Sequence, residues 1–251
     1  MKVVVDGLSI YYEAQGKGQP VVLLHGWGVD SSNLRAVSSL LKNSAGVRVY
    51  SIDLPGFGYS DPPPQDWDVQ DYVHLLEAFL GCLELEKVSL FGHSFGGRIA
   101  IKFTAQHPGR VEKLVLVDSA GIKPKRKASY YYKVGLAKLL KRLRKTFPAM
   151  KNSRLLPQLG STDYQKAGAL RGTLVKVVNE DLRQELSAIR CPTLLIWGEK
   201  DAETPLADAQ IMQELIAGAQ LEVIRGAGHF PFQDNFAAFE NILPAFLKHN
   251  E

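Results

Sequence analysis

The chain has little of what would mark several common protein classes. It carries two cysteines, Cys82 and Cys191, far apart and in no CxxC or metal-type spacing. That excludes a disulfide-stapled scaffold and a cysteine-built zinc site. It leaves the expectation of two buried thiols in a reducing compartment, with a cytoplasmic location as the default. No stretch approaches the roughly 20 apolar residues that cross a bilayer. The three valines after Lys2 are too short for the core of a signal peptide. There is no P-loop and no G-x-G-x-x-G following a strand, which argues against nucleotide chemistry. Internal repeats and low-complexity tracts are missing as well. Between Lys123 and Arg154 there is no Asp or Glu at all, a local absence taken up below.

What is present is ordinary for a globular α/β protein. The 251 residues are 45% hydrophobic and 22% charged, with a formal net charge of +4. Short apolar runs alternate with longer helical patterns. Val21–His25, Val47–Asp53, Lys87–Gly92, Lys113–Asp118, Thr193–Gly198 and Leu221–Ile224 read as strands. The internal ones are apolar on both faces, as buried parallel strands are. "VVV" and "SIYYEA" near the start alternate better and predict an antiparallel hairpin on one edge. Helical patterns cover Asn33–Lys42, Val69–Leu83, Phe95–Gln106, Leu206–Ile216 and Phe236–Lys248. This alternation predicts an α/β sandwich around a mostly parallel sheet. From Ala120 to Leu186 the strand rhythm stops and only helical stretches remain. That segment, 120–186, is expected to be a helical cap inserted into a core formed by 1–119 and 187–251. It would sit on the carboxyl edge of the sheet, where open α/β sheets bind ligands.

One junction carries chemistry. In "KVSLFGHSFGGRIA" a strand turns at once into a helix, and Gly92, Gly96 and Gly97 clear the space that so sharp a turn needs. The pattern G-x-S-x-G holds Ser94 at the tip with its hydroxyl exposed, the arrangement of a nucleophile. The start of the helix adds the positive end of its dipole, suited to a developing oxyanion.

A serine hydroxyl needs a base, and the base needs an orienting acid. Of six histidines, His74 and His107 belong to helical patterns, His249 to the tail, and His25 and His93 to glycine-bearing strand ends where they shape loops. His229 lies in "IRGAGHFPF", just past the final strand, where a base could reach Ser94. The acid should come from a strand end between the two. Asp201 in "LLIWGEKDAETP" supplies it, and Glu199 and Glu203 beside it read as solvated. Asp118, at the end of the preceding strand, is a rival acid whose other role would be to orient the entry to the cap.

With Ser94, Asp201 and His229 in that chain order, the sequence resembles the α/β-hydrolase fold superfamily. "LLHGWG", "DLPGFGYSD", "GHSFGG", "LLIWGEKD" and "GAGH" stand at successive strand ends where that superfamily has its signature loops. The resemblance implies an eight-stranded, mostly parallel sheet with helices on both faces. It implies an oxyanion hole made by the backbone N–H groups of Phe95 and Trp27. It implies acyl transfer without metal or cofactor, on a small-molecule substrate. Small capped carboxylesterases and meta-cleavage-product hydrolases, which break a carbon–carbon bond, share these loops. The second group often carries Asn where this chain has His93, and proline where it has Phe236. An esterase is therefore expected, with the carbon–carbon hydrolase and a non-hydrolytic ligand-binding member as alternatives.

Lys123–Arg154 holds twelve Lys or Arg, so the rest of the chain carries about −8. Leu136, Leu140, Leu143 and Phe147 repeat at helical spacing within it. Three readings stay open: a solvated cap helix over the pocket, attraction of an anionic ligand, or contact with an acidic membrane surface. Nucleic-acid binding is not expected, because no reader motif accompanies the charge.

Overall fold

The computed structural model describes residues 1–123 and 162–248. Most of Lys123–Arg154, with its leucine repeat, and His249 lie outside the described residues. The strands are β1 (Lys2–Val5), β2 (Leu8–Gly16), β3 (Gln19–Leu24), β4 (Val47–Ile52), β5 (Val88–His93), β6 (Val111–Val117), β7 (Thr193–Gly198) and β8 (Gln220–Ile224). They form one eight-stranded sheet in the order β1-β2-β4-β3-β5-β6-β7-β8. The pairs β1·β2 and β2·β4 are antiparallel, and all pairs from β4·β3 to β7·β8 are parallel. The expected hairpin is therefore there, and its second strand also joins the sheet. β3, β5, β6 and β7 are buried along nearly their whole length, as their unbroken apolar runs require, whereas β8 is an edge strand exposing Glu222 and Val223.

Helices α1 (Arg35–Ser44), α2 (Val69–Cys82) and α3 (Phe95–Gln106) cover the sheet with helices Leu206–Leu215 and Phe236–Leu247. Each begins where local chemistry allows. Asp68 caps α2 by accepting from the Gln70 and Asp71 backbone N–H groups, while the Asp71 carboxylate accepts from the Asp68 N–H. This reciprocal box satisfies orphan donors that would otherwise stay unpaired. α1 starts two residues later than its apolar pattern suggests, because Ser31–Leu34 first forms a tighter turn held by Asp30.

Two hydrophobic clusters sit on opposite faces of the sheet. One gathers Leu76, Phe79, Ile99, Phe103 and Trp197 against α2 and α3, and the other gathers Leu41, Phe91, Phe232 and Phe239. Full burial of a Leu or Phe side chain contributes about 1.5–3 kcal/mol, so both layers bind the sheet between helices. Between β6 and β7 comes the helical insertion, whose described helices are Thr162–Lys166, Arg171–Asn179 and Arg183–Leu186. Leu174, Val177, Leu182 and Leu186 join the first core, which ties this part of the insertion to the body of the domain.

The two cysteines depart from expectation. Cys82 is exposed and Cys191 only half-buried. Cys82 ends α2 beside exposed Gly81 and half-buried Leu83, past Leu80, the last buried residue of that helix.

The register aligns the strand ends that carry the candidate residues. His93 sits opposite Val117, Val117 opposite Ile196, and Gly198 opposite Ile224. Ser94, Asp118, Asp201 and His229 follow these strands, so four loops open on one edge.

Candidate active site

Ser94 ends β5 and begins α3 in a strained conformation, with φ 49° and ψ −112°. A non-glycine residue pays for positive φ, and the surroundings must hold it there. They do so by backbone bonds. The Ser94 N–H donates to Val117 O at 3.1 Å, and Ser94 O accepts from the Gly97 and Ala120 N–H groups at 3.0 and 3.1 Å. Only a missing side chain lets the turn close, since a Cβ on Gly92 would meet Gly97 Cα at 2.6 Å. Ser94 stands at the N-cap of α3 yet makes no capping bond. Its hydroxyl is thus withheld from the helix and left toward the cavity.

That cavity measures about 460 Å³ and opens over Ser94 and His229. Trp27, Phe57 and Phe230 supply apolar walls, and Lys166 and Leu170 of the insertion close the far side. Trp27 lies edge-on to both Phe57 and Phe95, with ring centres 5.0 and 5.3 Å apart. The loop carrying Trp27 lies close to the serine. A Cβ on Gly26 would come within 2.8 Å of His93 Nδ1 and 3.3 Å of Ser94 Cβ.

His229 Nδ1 meets Asp201 Oδ2 at 2.8 Å. Asp201 is well supplied with donors. Its Oδ1 accepts from the Glu203 and Thr204 N–H groups at 2.7 and 3.1 Å, and its Oδ2 accepts from Thr204 Oγ1 at 2.6 Å. Burial alone would raise its pKa, but the hydrogen bonds from His229 and Thr204, with the neighbouring Asp118 carboxyl, outweigh it and hold the carboxylate below its usual range. Thr204 Oγ1 sits on the Asp201 side of the imidazole, 3.5 Å from Nδ1, so it serves the acid and does not line the cavity. The other ring nitrogen, Nε2, faces Glu203 at 3.4 Å. Glu203 is 65% exposed, so it is solvated as expected, but it also lines the cavity mouth, which its sequence position did not reveal. The Ser94 hydroxyl makes no hydrogen bond among the described residues. Catalytic bonds are often loose in a free enzyme and tighten with substrate.

Two histidines read as loop-shaping turn out to be structural members of this edge. His93 is buried, and its Nε2–H donates to the His229 carbonyl at 2.8 Å, which pins the loop that carries His229. Burial, then the neighbouring His229, pushes its pKa down to about 3, so it stays neutral. His25 donates from Nδ1 to Gly26 O at 2.7 Å and accepts the Leu54 N–H at Nε2. It thereby ties the "HGWG" loop to the "DLPGFGYSD" loop. Asp53 holds the second loop, accepting from the Ser31 and Tyr59 N–H groups. Asp234 does the same for the His229 loop through Gly228 N–H at 2.7 Å. For His25, His93 and Asp53 the available signal was a polar residue ending an apolar strand run; exposed Asp234, at the end of the short helix Pro231–Asp234, carried no such signal.

The sequence matches the model of the alpha/beta hydrolase family over residues 21–242. It is 30% identical to the AB hydrolase superfamily protein YisY of Bacillus subtilis, over 96% of either chain. It is 28% identical to a pimeloyl-[acyl-carrier protein] methyl ester esterase of Aeromonas hydrophila, over 96% of this chain and 100% of that one. The structure superposes on an esterase from Exiguobacterium antarcticum with a TM-score of 0.78, 29% identity and 99% of both chains covered. Sheet order, histidine–aspartate pair and sequence match agree, and this chain is a hydrolase belonging to the alpha/beta hydrolase family.

Proposed function

We propose that the protein is a serine carboxylesterase acting on small or medium esters through an acyl-enzyme, with Ser94 as nucleophile, His229 as base and Asp201 as orienting acid. The observation that carries this reading is the strained, uncapped Ser94 facing the cavity that His229 also lines, with Asp201 on the other ring nitrogen. His229 Nε2 takes the Ser94 proton as Oγ attacks the ester carbonyl carbon. The carbonyl oxygen becomes an oxyanion held by the Phe95 and Trp27 N–H groups. Phe95 suits this role because the first position of a helix has no acceptor for its N–H within the helix. Collapse of the tetrahedral intermediate expels the alcohol, which takes the proton from His229. Water then gives a proton to His229 and its oxygen to the acyl carbon, releasing the acid and restoring Ser94. Asp201 keeps the imidazole in the tautomer with Nδ1–H and stabilises its charged form.

Residues 120–186 would form the cap that sizes the pocket. A second reading concerns the acyl group's carrier. The twelve basic residues of Lys123–Arg154 favour an anionic substrate or an acidic surface. A relative named for a methyl ester carried on a protein makes monomethyl esters of dicarboxylic acids apt probes.

The test is turnover of p-nitrophenyl esters of increasing chain length and of monomethyl dicarboxylates, with Ser94→Ala as control. Serine-dependent turnover with a chain-length optimum is expected. Turnover that survives Ser94→Ala sinks the reading, whereas fluorophosphonate labelling without ester turnover redirects it to the carbon–carbon hydrolase. For the anionic reading, turnover of a carboxylated ester should fall steeply with added salt and that of a neutral ester should not.

A further inference from the structure

We propose that Asp118 is a positioning residue that keeps its proton at neutral pH and donates it in a hydrogen bond to Asp201, holding that carboxylate ionised and aimed at His229. The proposal rests on the reading of Ser94 and His229 as nucleophile and base.

Asp118 follows β6 with φ 40°, another non-glycine residue in the left-handed region, one strand over from Ser94. Its side chain is fully buried. Oδ1 accepts the Gly198 N–H at 2.9 Å, but Oδ2 has no donor among the described residues. One oxygen from each of Asp118 and Asp201 and one ring nitrogen of His229 lie within 4.8 Å of one another. The charged groups acting on Asp118 are Asp201 and Asp234, both acidic, and His229 stands beyond Asp201. A bare carboxylate there would be desolvated, next to like charge, with one N–H for support. A carboxylic acid escapes the like-charge repulsion and the far larger cost of burying an ion, and its O–H gives the orphan oxygen a use. Burial first, and then the bond with Asp201, push the Asp118 pKa up to about 9, while Asp201 moves the opposite way. Two adjacent carboxyls therefore divide the work: one stays neutral and donates, the other stays charged and accepts.

The arrangement has a sign. Below about pH 9 the proton is present and the bond to Asp201 exists. Above it, Asp118 becomes a second negative charge behind Asp201, and the attraction turns to repulsion. Turnover should therefore fall on the alkaline side.

Asp118→Asn keeps a neutral donor of the same shape, and Asp118→Leu removes it. For Asp118→Asn we expect kcat within about threefold of wild type at pH 7–8, the loss of the alkaline fall, and KM little changed. For Asp118→Leu we expect kcat lower by about 10–100-fold, as for loss of a hydrogen bond to a charged group. Infrared difference spectra should show a carboxylic-acid carbonyl band at pH 7 in wild type that Asp118→Asn abolishes. That readout needs no turnover, so it separates this proposal from the esterase reading, whose own failure is seen with Ser94→Ala. Absence of the band, an Asp118→Asn enzyme whose kcat drops as far as expected for Asp118→Leu, or an alkaline fall that Asp118→Asn retains each overturns the proposal. Should Asp118→Leu fail to fold, the Asn variant and the spectrum still decide it.

Discussion

Of the places where the backbone takes a positive φ, two make a sharp contrast. Asp6 and Gly7, at φ 47° and 83°, form the turn between β1 and β2, exposed to water. Ser94 and Asp118, at 49° and 40°, end neighbouring buried strands on the carboxyl edge. The torsions are alike, but the reasons differ. An Asp-Gly turn adopts them because they match the twist of a hairpin. At the carboxyl edge a strand must turn into a helix over a cavity, and the surrounding backbone bonds hold the strain. Around Asp6, β1 and β2 bury no polar or charged side chain. Around Ser94 and Asp118 the chain buries His25, His93, Asp53, Asp201 and Thr204, all of them polar. Strain marks a candidate site when buried polar groups converge on it, and an ordinary turn when they do not.

The sharpest way to break this contrast is at the serine. Ser94→Ala should lower kcat by about 10⁴-fold or more, measured with the best p-nitrophenyl ester. Asp6→Ala should cost at most about 1 kcal/mol in denaturant unfolding and leave kcat unchanged. A comparable loss of kcat in both variants would erase the distinction. Next in size is Asp201→Asn, expected to lower kcat by about 10³–10⁴-fold, because the amide favours the wrong tautomer of His229. Single-turnover kinetics would locate that loss in acylation. Gly26→Ala pushes the "HGWG" loop away from His93 and Ser94, with an expected kcat loss of about 100-fold, the scale of one oxyanion donor. Thr204→Val removes the 2.6 Å bond to Asp201 and should lower kcat by about tenfold with KM unchanged. The smallest effect belongs to Glu203→Gln. Its exposed carboxylate near His229 Nε2 should change kcat/KM by about twofold or less, and less still at high salt.

Much of the sheet was legible because buried parallel strands need unbroken apolar runs. β4, β5 and β7 lie within a residue of the runs that predict them, and α3 coincides with its pattern. The ends that differ are where tertiary contacts extend or trim an element. β6 begins at Val111, before its apolar run, because Val88 on β5 pairs with it there. The cysteines were misread, since composition cannot tell a helix end from a core position. Ser94, Asp201 and His229 were legible as candidates, each in a glycine-bearing or acidic loop after a strand. Asp118 was legible only as a rival for the same nitrogen. Its place behind Asp201 follows from β6 and β7 lying side by side in parallel, with Asp118 N–H donating to Ile196 O.

The sequence by itself determined the layered α/β architecture, the sharp strand-to-helix turn at Ser94 and the order of the loop residues. These follow from apolar periodicity and from where glycine leaves room for backbone, both local properties of the chain. Only the tertiary structure decided which carboxyl touches His229, which one is buried without a donor, and that His93 pins the His229 loop. Those outcomes depend on parallel strands far apart in sequence meeting in register, where burial and neighbouring charge, absent from any single segment, set which groups carry a proton.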